Sequence, residues 1–226
     1  MSVYENIENV RQKIAAAARK AGRSENEITL IGVSKTKPVE LIKEATACGV
    51  LDLGENRVQE VLEKFDKIEN VRWHLIGHLQ KNKVKYIVDK AELIHSVEGF
   101  ELAKEIDKQA KKIGKVQNIL IQVNVSGEES KFGVSPDETI PLCKAVSALE
   151  NIRIKGLMTM APMGSSEEEL RFVFGGLRKL SDEIRNENIE KAEMQHLSMG
   201  MSGDYEIAIE EGATLVRVGT GIFGAR

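Results

Sequence analysis

Lys35 is the residue of this 226-residue chain whose type and position best suit a chemical role. It follows Ile31 and Val33 in the alternation of a strand, so we expect its side chain to point into the same interior as theirs. A lysine attacks an aldehyde only as a neutral amine, which requires a pKa of about 7 to 8 instead of about 10.4. Burial or a neighbouring cation such as Arg217 can lower the pKa in this way. By position alone, a solvated surface charge is the more frequent explanation for a single lysine.

Two segments rich in glycine and serine have the composition of an anion site. The run from Gly219 to Gly224 reads G-T-G-I-F-G, which matches the dinucleotide pattern G-x-G-x-x-G. That fingerprint needs a following helix and an acidic residue about twenty positions later, and only two residues follow Gly224. We predict instead that Gly219 and Thr220 bind a phosphate through backbone N–H groups, opposite the segment from Ser198 to Ser202. Two ordinary glycine turns are the alternative.

The histidines and cysteines do not have the spacing of a metal site. His74 and His78 are four residues apart but fall across a strand and a loop, so they do not form a helical ligand pair. Cys48 and Cys143 match no C-x-x-C or zinc-ligand spacing. We predict no metal and a reducing, cytoplasmic setting, and we assign no catalytic residue.

Eight short apolar segments alternate with helical ones, as parallel strands covered on both faces do. Because eight strands in a chain of this length can close, we predict one (β/α)8 barrel domain over residues 1–226, with an additional N-terminal helix at 5–20. An open doubly wound sheet is the alternative, since alternation fits both folds. The segments are ITLIGVSK (28–35), LDLGEN (51–56), RWHLIG (72–77), LIHSVE (93–98), NILIQVNVS (118–126), IKGLMTM (154–160), MQHLSMG (194–200) and TLVRVGT (214–220).

Three local predictions concern the connections. Pro141 is awkward inside a helix, so we expect that helix to begin near Ile140 or to bend there. Asp204 is predicted to cap a helix that runs through Glu211. No helix is expected after the eighth strand, and the N-terminal helix is expected to cover that place.

The functional residues of such a barrel lie at the C-terminal ends of its strands. The polar and flexible residues found there suit an anionic, planar ligand, and His74 joins the cofactor-binding candidates because of this placement. These residues are Ser34, Lys35, Glu55, Asn56, His74, Gly77, Ser96, Glu98, Asn124, Ser126, Thr159, Ser198, Gly200, Ser202, Arg217, Gly219 and Thr220.

The overall charge excludes two partner classes. The 32 basic and 35 acidic residues give a formal charge of -3, so no global field attracts nucleic acid or an anionic membrane. No signal peptide and no apolar span of about 18 residues is present. We therefore predict no nucleic-acid or membrane partner and expect any anion site to be local.

Seven motifs along the whole chain resemble the pyridoxal phosphate homeostasis protein family, which is similar to the barrel domain of bacterial alanine racemases. The departures from the family pattern are Leu75, where an aromatic is frequent, and Pro141. The motifs are V-S-K-T-K-P (33–38), G-E-N-R-V-Q-E (54–60), W-H-L-I-G-H-L-Q-K-N-K (73–83), N-V-S-G-E-E-S-K-F-G (124–133), G-L-M-T-M (156–160), L-S-M-G-M-S-G-D (197–204) and V-R-V-G-T-G-I-F-G (216–224).

The resemblance implies that the cofactor is pyridoxal 5′-phosphate and that Lys35 forms a Schiff base with it. It also implies that Asn56 lies near the ring and that Met158 lines the pocket. Arg217 would face the pyridine nitrogen; since a guanidinium is always protonated, the ring stays neutral and becomes a weaker electron sink. The implied phosphate ligands are Ser198, Ser202, Gly219 and Thr220.

In function, the resemblance implies a monomeric protein that stores or delivers the cofactor, with apo-enzymes as recipients. The alternative is a weak amino-acid racemase. In the similar racemases the second base is a tyrosine from an additional C-terminal domain, whereas this chain ends at the barrel and only Tyr205 among its three tyrosines is expected near the mouth. A third possibility is an unrelated barrel enzyme in which Lys35 contacts a phosphate or enolate.

Overall fold

The structure is a computed structural model that describes residues 2–128 and 132–224. Eight parallel strands pair in sequence order, and the last pairs with the first, so the sheet closes. The predicted barrel is confirmed, and the open doubly wound sheet is wrong. The strands are β1 (Thr29–Val33), β2 (Asp52–Glu55), β3 (Arg72–Leu75), β4 (Ala91–Val97), β5 (Gln117–Gln122), β6 (Ile152–Met158), β7 (Ala192–Met201) and β8 (Leu215–Val218).

Helices connect these strands on the outside of the barrel. The third connection, between β3 and β4, begins with a 3-10 turn at Lys81–Lys83, and another such turn at Glu25–Glu27 precedes β1. The helices are α1 (Val3–Lys20), α2 (Val39–Ala47), α3 (Val58–Phe65), α4 (Val84–Ile87), α5 (Phe100–Lys112), α6 (Pro136–Ser147), α7 (Glu167–Asn186), α8 (Tyr205–Glu210) and α9 (Thr220–Phe223). None in the described ranges is long and apolar enough to cross a membrane.

The predicted N-terminal helix is confirmed as α1. Its buried face carries Ile7, Val10 and Ile14 at helical spacing, and it packs against α8 and α9. Asn6 Nδ2 donates to the carbonyl of Ile222 at 2.9 Å. The expectation of no helix after β8 is wrong, because the one-turn helix α9 forms there and α1 covers it.

The helix around Pro141 also begins earlier than predicted. Ser135 forms a capping box with Glu138, and Pro136 occupies the first turn, where its missing N–H costs nothing. These start signals outweigh the single hydrogen bond that Pro141 removes inside α6. The predicted cap at Asp204 is confirmed by position: it precedes α8, although its Oδ1 accepts from the N–H of Met201 at 2.5 Å rather than from the helix.

Two apolar regions make up the core. The larger one lies between the barrel and its helices. The smaller one is an apolar layer inside the barrel, to which five of the strands contribute one buried side chain each. That layer contains Ile31, Leu93, Leu120, Met158 and Leu215.

Candidate functional site

A cavity of about 440 Å³ opens where the C-terminal ends of the strands meet. This volume lies in the range of small-molecule sites. Its apolar wall is formed by Val33, Ile76, Met160 and Met201. Its polar groups come from different strands, so closure of the barrel is what brings them together. They include Lys35, Asn56, Gln122, Ser202, Arg217 and Thr220.

Lys35 lies at one edge of this cavity, two residues beyond the end of β1. Its side chain is half-buried. Within residues 2–128 and 132–224 its ammonium makes no hydrogen bond or ion pair. The amine is therefore available to a ligand, as its predicted role requires.

Ser34, the residue before Lys35, is held by a buried charged pair. Its hydroxyl donates to Glu55 Oε1 at 2.7 Å. Lys64 Nζ donates to the same oxygen at 2.7 Å and to the carbonyl of Ser34 at 2.8 Å. Burial raises the pKa of Glu55 to about 7, and a hydrogen bond with Glu60 acts in the same direction. The chain entering Lys35 is thus fixed by side chains of β2 and α3.

Arg217 lines the cavity from β8 and is only 4% exposed. Its Nη1 donates to Ser198 Oγ at 2.5 Å, and its Nη2 donates to the carbonyl of Thr159 at 3.0 Å. In the described part of the chain it has no ion-pair partner within contact distance. Burial lowers the pKa of Arg217 to about 10, and the charge of Asp204 opposes this effect. The guanidinium therefore stays protonated at neutral pH, in a fixed orientation.

A line of hydrogen bonds runs from Arg217 through the barrel, and we call Ser198, His95, His74 and Asp52 the interior chain. An arginine can only donate, so Ser198 accepts from it and directs its own hydroxyl to His95 Nδ1, 2.9 Å away. Burial holds the pKa of His95 well below its usual range. The neutral ring then carries its proton on Nε2, which lies 3.0 Å from His74 Nδ1.

The interior chain ends on a carboxylate. His74 Nε2 lies 2.9 Å from Asp52 Oδ1, and Arg72 binds both Asp52 oxygens, at 2.7 and 2.5 Å. Burial acts to raise the pKa of Asp52, but the hydrogen bonds from His74 and Arg72 outweigh it, so the pKa is lowered. Each hydrogen-bond donor in the interior chain therefore points away from Arg217 and towards the Asp52 carboxylate.

Another part of the cavity wall is built from backbone and hydroxyl groups. Ser202 Oγ accepts from the N–H of Gly219 at 3.2 Å and from that of Gly221 at 3.4 Å. Gly221 is required here, because a Cβ would lie 2.8 Å from Val218. An anion could accept from the same N–H groups, which is the arrangement of a phosphate-binding loop.

The structure brings six of the nine predicted cofactor residues to the cavity: Lys35, Asn56, Ser202, Arg217, Gly219 and Thr220. Met158 does not line it, because this side chain belongs to the apolar layer below, and Met160 takes the place at the wall. Ser198 and His74 also lie below the cavity, in the interior chain. His74 lines a separate cavity with Arg72, Asp52 and Lys155 at the other end of the strands.

Several residues at the mouth were not predicted. His78 stacks on Phe132, with ring centroids 4.7 Å apart, and its Nδ1 lies 3.1 Å from Glu98. Met201 and Gln122 contribute to the wall. Their signal was present in part, since His78 and Met201 directly follow predicted strands and Gln122 lies within one, but side chains at these positions also fit simple packing. In the described residues no cluster of three His, Cys, Asp or Glu side chains could hold a metal ion.

Comparisons with known proteins show the family of the chain. Residues 6–226 match the family model described as alanine racemase, N-terminal domain. The pyridoxal phosphate homeostasis protein of Aquifex aeolicus is 47% identical over 228 residues, covering 100% of this chain and 99% of that relative. The protein of the same name from Pseudomonas aeruginosa is 39% identical over 227 residues, covering 100% of this chain and 96% of that relative.

Two solved structures share the fold. PipY of Synechococcus elongatus, solved with PLP bound, has a TM-score of 0.87 and 33% identity, covering 99% of this chain and 100% of that one. An alanine racemase of Clostridium difficile has a TM-score of 0.79 and 19% identity, covering 100% of this chain and 57% of that one. The second comparison shows the fold alone.

Proposed function

Because the chain belongs to the family described as alanine racemase, N-terminal domain, and within it resembles pyridoxal phosphate homeostasis proteins, we propose that it binds pyridoxal 5′-phosphate as a Schiff base on Lys35. We propose that it keeps this cofactor available to apo-enzymes and so serves vitamin B6 homeostasis. One observation carries the proposal: Lys35, Arg217 and the loop of Ser202 and Gly219 surround a single cavity.

The residues present fit a planar phosphorylated aldehyde. Lys35 offers an amine that no described side chain engages, and Ser202 with the N–H groups of Gly219 and Gly221 offers donors for a phosphate. Two N–H groups of Arg217 have acceptors, which leaves up to three of the five for a ligand. The apolar wall suits the faces of a ring.

When bound, the cofactor supplies an aldehyde that exchanges between amines and a ring that withdraws electrons. Lys35 would supply the amine that condenses with this aldehyde, with loss of water. Arg217 stays protonated and donates, so it does not move a proton to the ring nitrogen, and this limits electron withdrawal. The binding residues thus favour holding the aldehyde over reacting further with it.

Reconstitution tests the proposal. The purified chain is incubated with pyridoxal 5′-phosphate, reduced with borohydride, and digested for mass spectrometry. We expect a visible absorbance band that reduction abolishes and a stable adduct on Lys35. Lys35→Met should lose both, while Lys67→Met, a change at an exposed position, should retain them. An unmodified Lys35 in the saturated parent protein would overturn the proposal.

Delivery needs a separate measurement. The loaded protein is mixed with an apo-enzyme that requires the cofactor, and recovery of its activity is compared with release into buffer containing a trapping amine. Recovery faster than release supports direct delivery, and equal rates reduce the function to storage. Deuterium exchange at the α-carbon of alanine at enzyme-like rates would show that the protein breaks this C–H bond and would overturn the preference for a carrier.

A further inference from the structure

The residues on both sides of Lys35 are tied to one buried lysine. Lys64 Nζ contacts the carbonyl of Ser34 at 2.8 Å and Glu55 Oε1 at 2.7 Å, and it lies 3.6 Å from Glu60 Oε2. The same Glu60 oxygen accepts from the N–H of Thr36 at 3.0 Å. We call Ser34, Glu55, Glu60 and Lys64 the Lys64 cluster.

The backbone held by this cluster is strained. Thr36 has a φ of +60°, a region that a β-branched residue rarely adopts. A conformation of this kind persists only where its surroundings over-determine it, and such positions concentrate at functional sites. The hydrogen bond to Glu60 is one of the contacts that fix it. The strain lies directly after the residue that carries the proposed chemistry.

Packing alone does not explain the choice of lysine. The Lys64 side chain is 8% exposed, and it lies on the buried face of α3 with Val58 and Val61. Burying a charge is costly, and an apolar residue of similar volume would usually stabilise a fold as well or better. All three N–H donors of an ammonium, however, can be directed at the three oxygen atoms that surround Nζ. The cluster therefore has a geometric use that an apolar residue cannot supply.

We propose that Lys64 is a positioning residue for Lys35. It holds the carbonyl of Ser34 directly and orients Glu60, which holds Thr36, so that the main chain of Lys35 is fixed on both sides. The Lys35 side chain keeps its own freedom, because no contact of the cluster involves it. The cluster thus directs the amine into the cavity without occupying its nitrogen.

The inference rests on the proposed function. Two ligands distinguish a failure of the inference from a failure of that function. Pyridoxal 5′-phosphate requires the Lys35 amine, whereas pyridoxine 5′-phosphate has the same ring and phosphate but no aldehyde. In Lys64→Met we expect adduct formation on Lys35 to slow by about ten- to a hundredfold, since misplacement by about 1 Å costs this much. Affinity for pyridoxine 5′-phosphate should stay within about twofold, since its contacts are elsewhere.

Two further variants keep the test decisive. Glu60→Ala removes the acceptor of the Thr36 N–H at a more exposed position and should slow the adduct in the same direction, which matters if Lys64→Met does not fold. Lys67→Met, on the exposed side after α3, is the matched control and should behave as the parent. A parent protein that forms no adduct would reject the proposed function itself.

A readout without cofactor completes the design. Brief labelling of the unloaded protein with an amine-reactive acetyl donor reports the accessibility of Lys35 by mass spectrometry, and the variants should change its labelling rate but not that of Lys67. Parent-like adduct formation in both cluster variants, or an equal loss of affinity for both ligands, would overturn the inference.

Discussion

The Lys64 cluster and the interior chain each position a basic residue at the cavity. The first holds Lys35 by its main chain, and the second holds Arg217 by its side chain. The Lys64 cluster fixes the main chain beside Lys35 and does not touch its amine. The interior chain binds the guanidinium of Arg217 itself and runs through a hydroxyl and two imidazoles before it reaches Asp52. A group that must form and break a bond has to move, whereas a group that only faces a ring has to stay. The Lys64 cluster leaves the Lys35 side chain free to move, and the interior chain keeps the Arg217 side chain in place.

The largest effect is expected from breaking the interior chain. His95→Ala leaves Ser198 and His74 without their shared buried partner and opens a cavity, so we expect a loss of about 3 kcal/mol in the free energy of unfolding. Urea unfolding measures it. His78→Ala, at the mouth, should cost less than about 1 kcal/mol. A similar loss in both variants would show that the interior chain contributes no more to the free energy of unfolding than a residue at the mouth.

The Lys64 cluster predicts a dependence of stability on pH. Glu55 has an ordinary pKa of 4.5 and a folded pKa of about 7, raised first by burial and then by Glu60, while Lys64 and Ser34 act against it. Between these values the folded state binds more protons, so the contribution of Glu55 to stability falls as pH rises from about 4.5 to about 7.

Glu55→Gln removes this proton while keeping an oxygen for Ser34 and Lys64. Its free energy of unfolding relative to the parent should therefore rise across that window and level off above about pH 7. Unfolding at a series of pH values measures the difference, and groups that titrate in both proteins cancel. A difference that does not change with pH would mean that Glu55 keeps an ordinary pKa in the fold.

The smallest effect is expected at Thr36. Thr36→Gly relieves the strain at φ +60°, which we expect to stabilise the fold by about 1 kcal/mol, while the freer backbone slows adduct formation on Lys35. Thermal unfolding and the adduct rate are measured together. Greater stability with slower adduct formation would show that positioning of Lys35 is distinct from folding. A loss of both stability and adduct rate would mean that the slower rate comes from a weakened fold.

The fold could be predicted because its signals are local. Apolar runs at regular spacing indicate buried parallel strands, and the direction of the Lys35 side chain follows from strand phase. Phase does not say how far along the barrel axis a side chain lies, since that depends on the stagger between strands. Met158, Ser198 and His74 lie on predicted strands but outside the cavity that Lys35 lines.

Lys64 was not predicted as a site residue for a different reason. Glu60 and Lys64 are one helical turn apart, a spacing that usually means an exposed ion pair. Burial of Lys64 depends on Glu55 and Ser34, which approach from two other segments, and no local pattern contains that information. The quoted motif G-E-N-R-V-Q-E covers Glu55 and Glu60 but stops before Lys64.

The closure of β1 on β8 also has a consequence for synthesis. Thr29 pairs with Leu215, and Arg23 Nη1 donates to the carbonyl of Ala213, across 190 positions. While the ribosome is still making the intervening helices, β1 has no neighbour on one side, and the newest strand is a second open edge. Such edges favour pairing with other chains. The nascent sheet therefore keeps two open edges until its eighth strand emerges, and closure removes both at once.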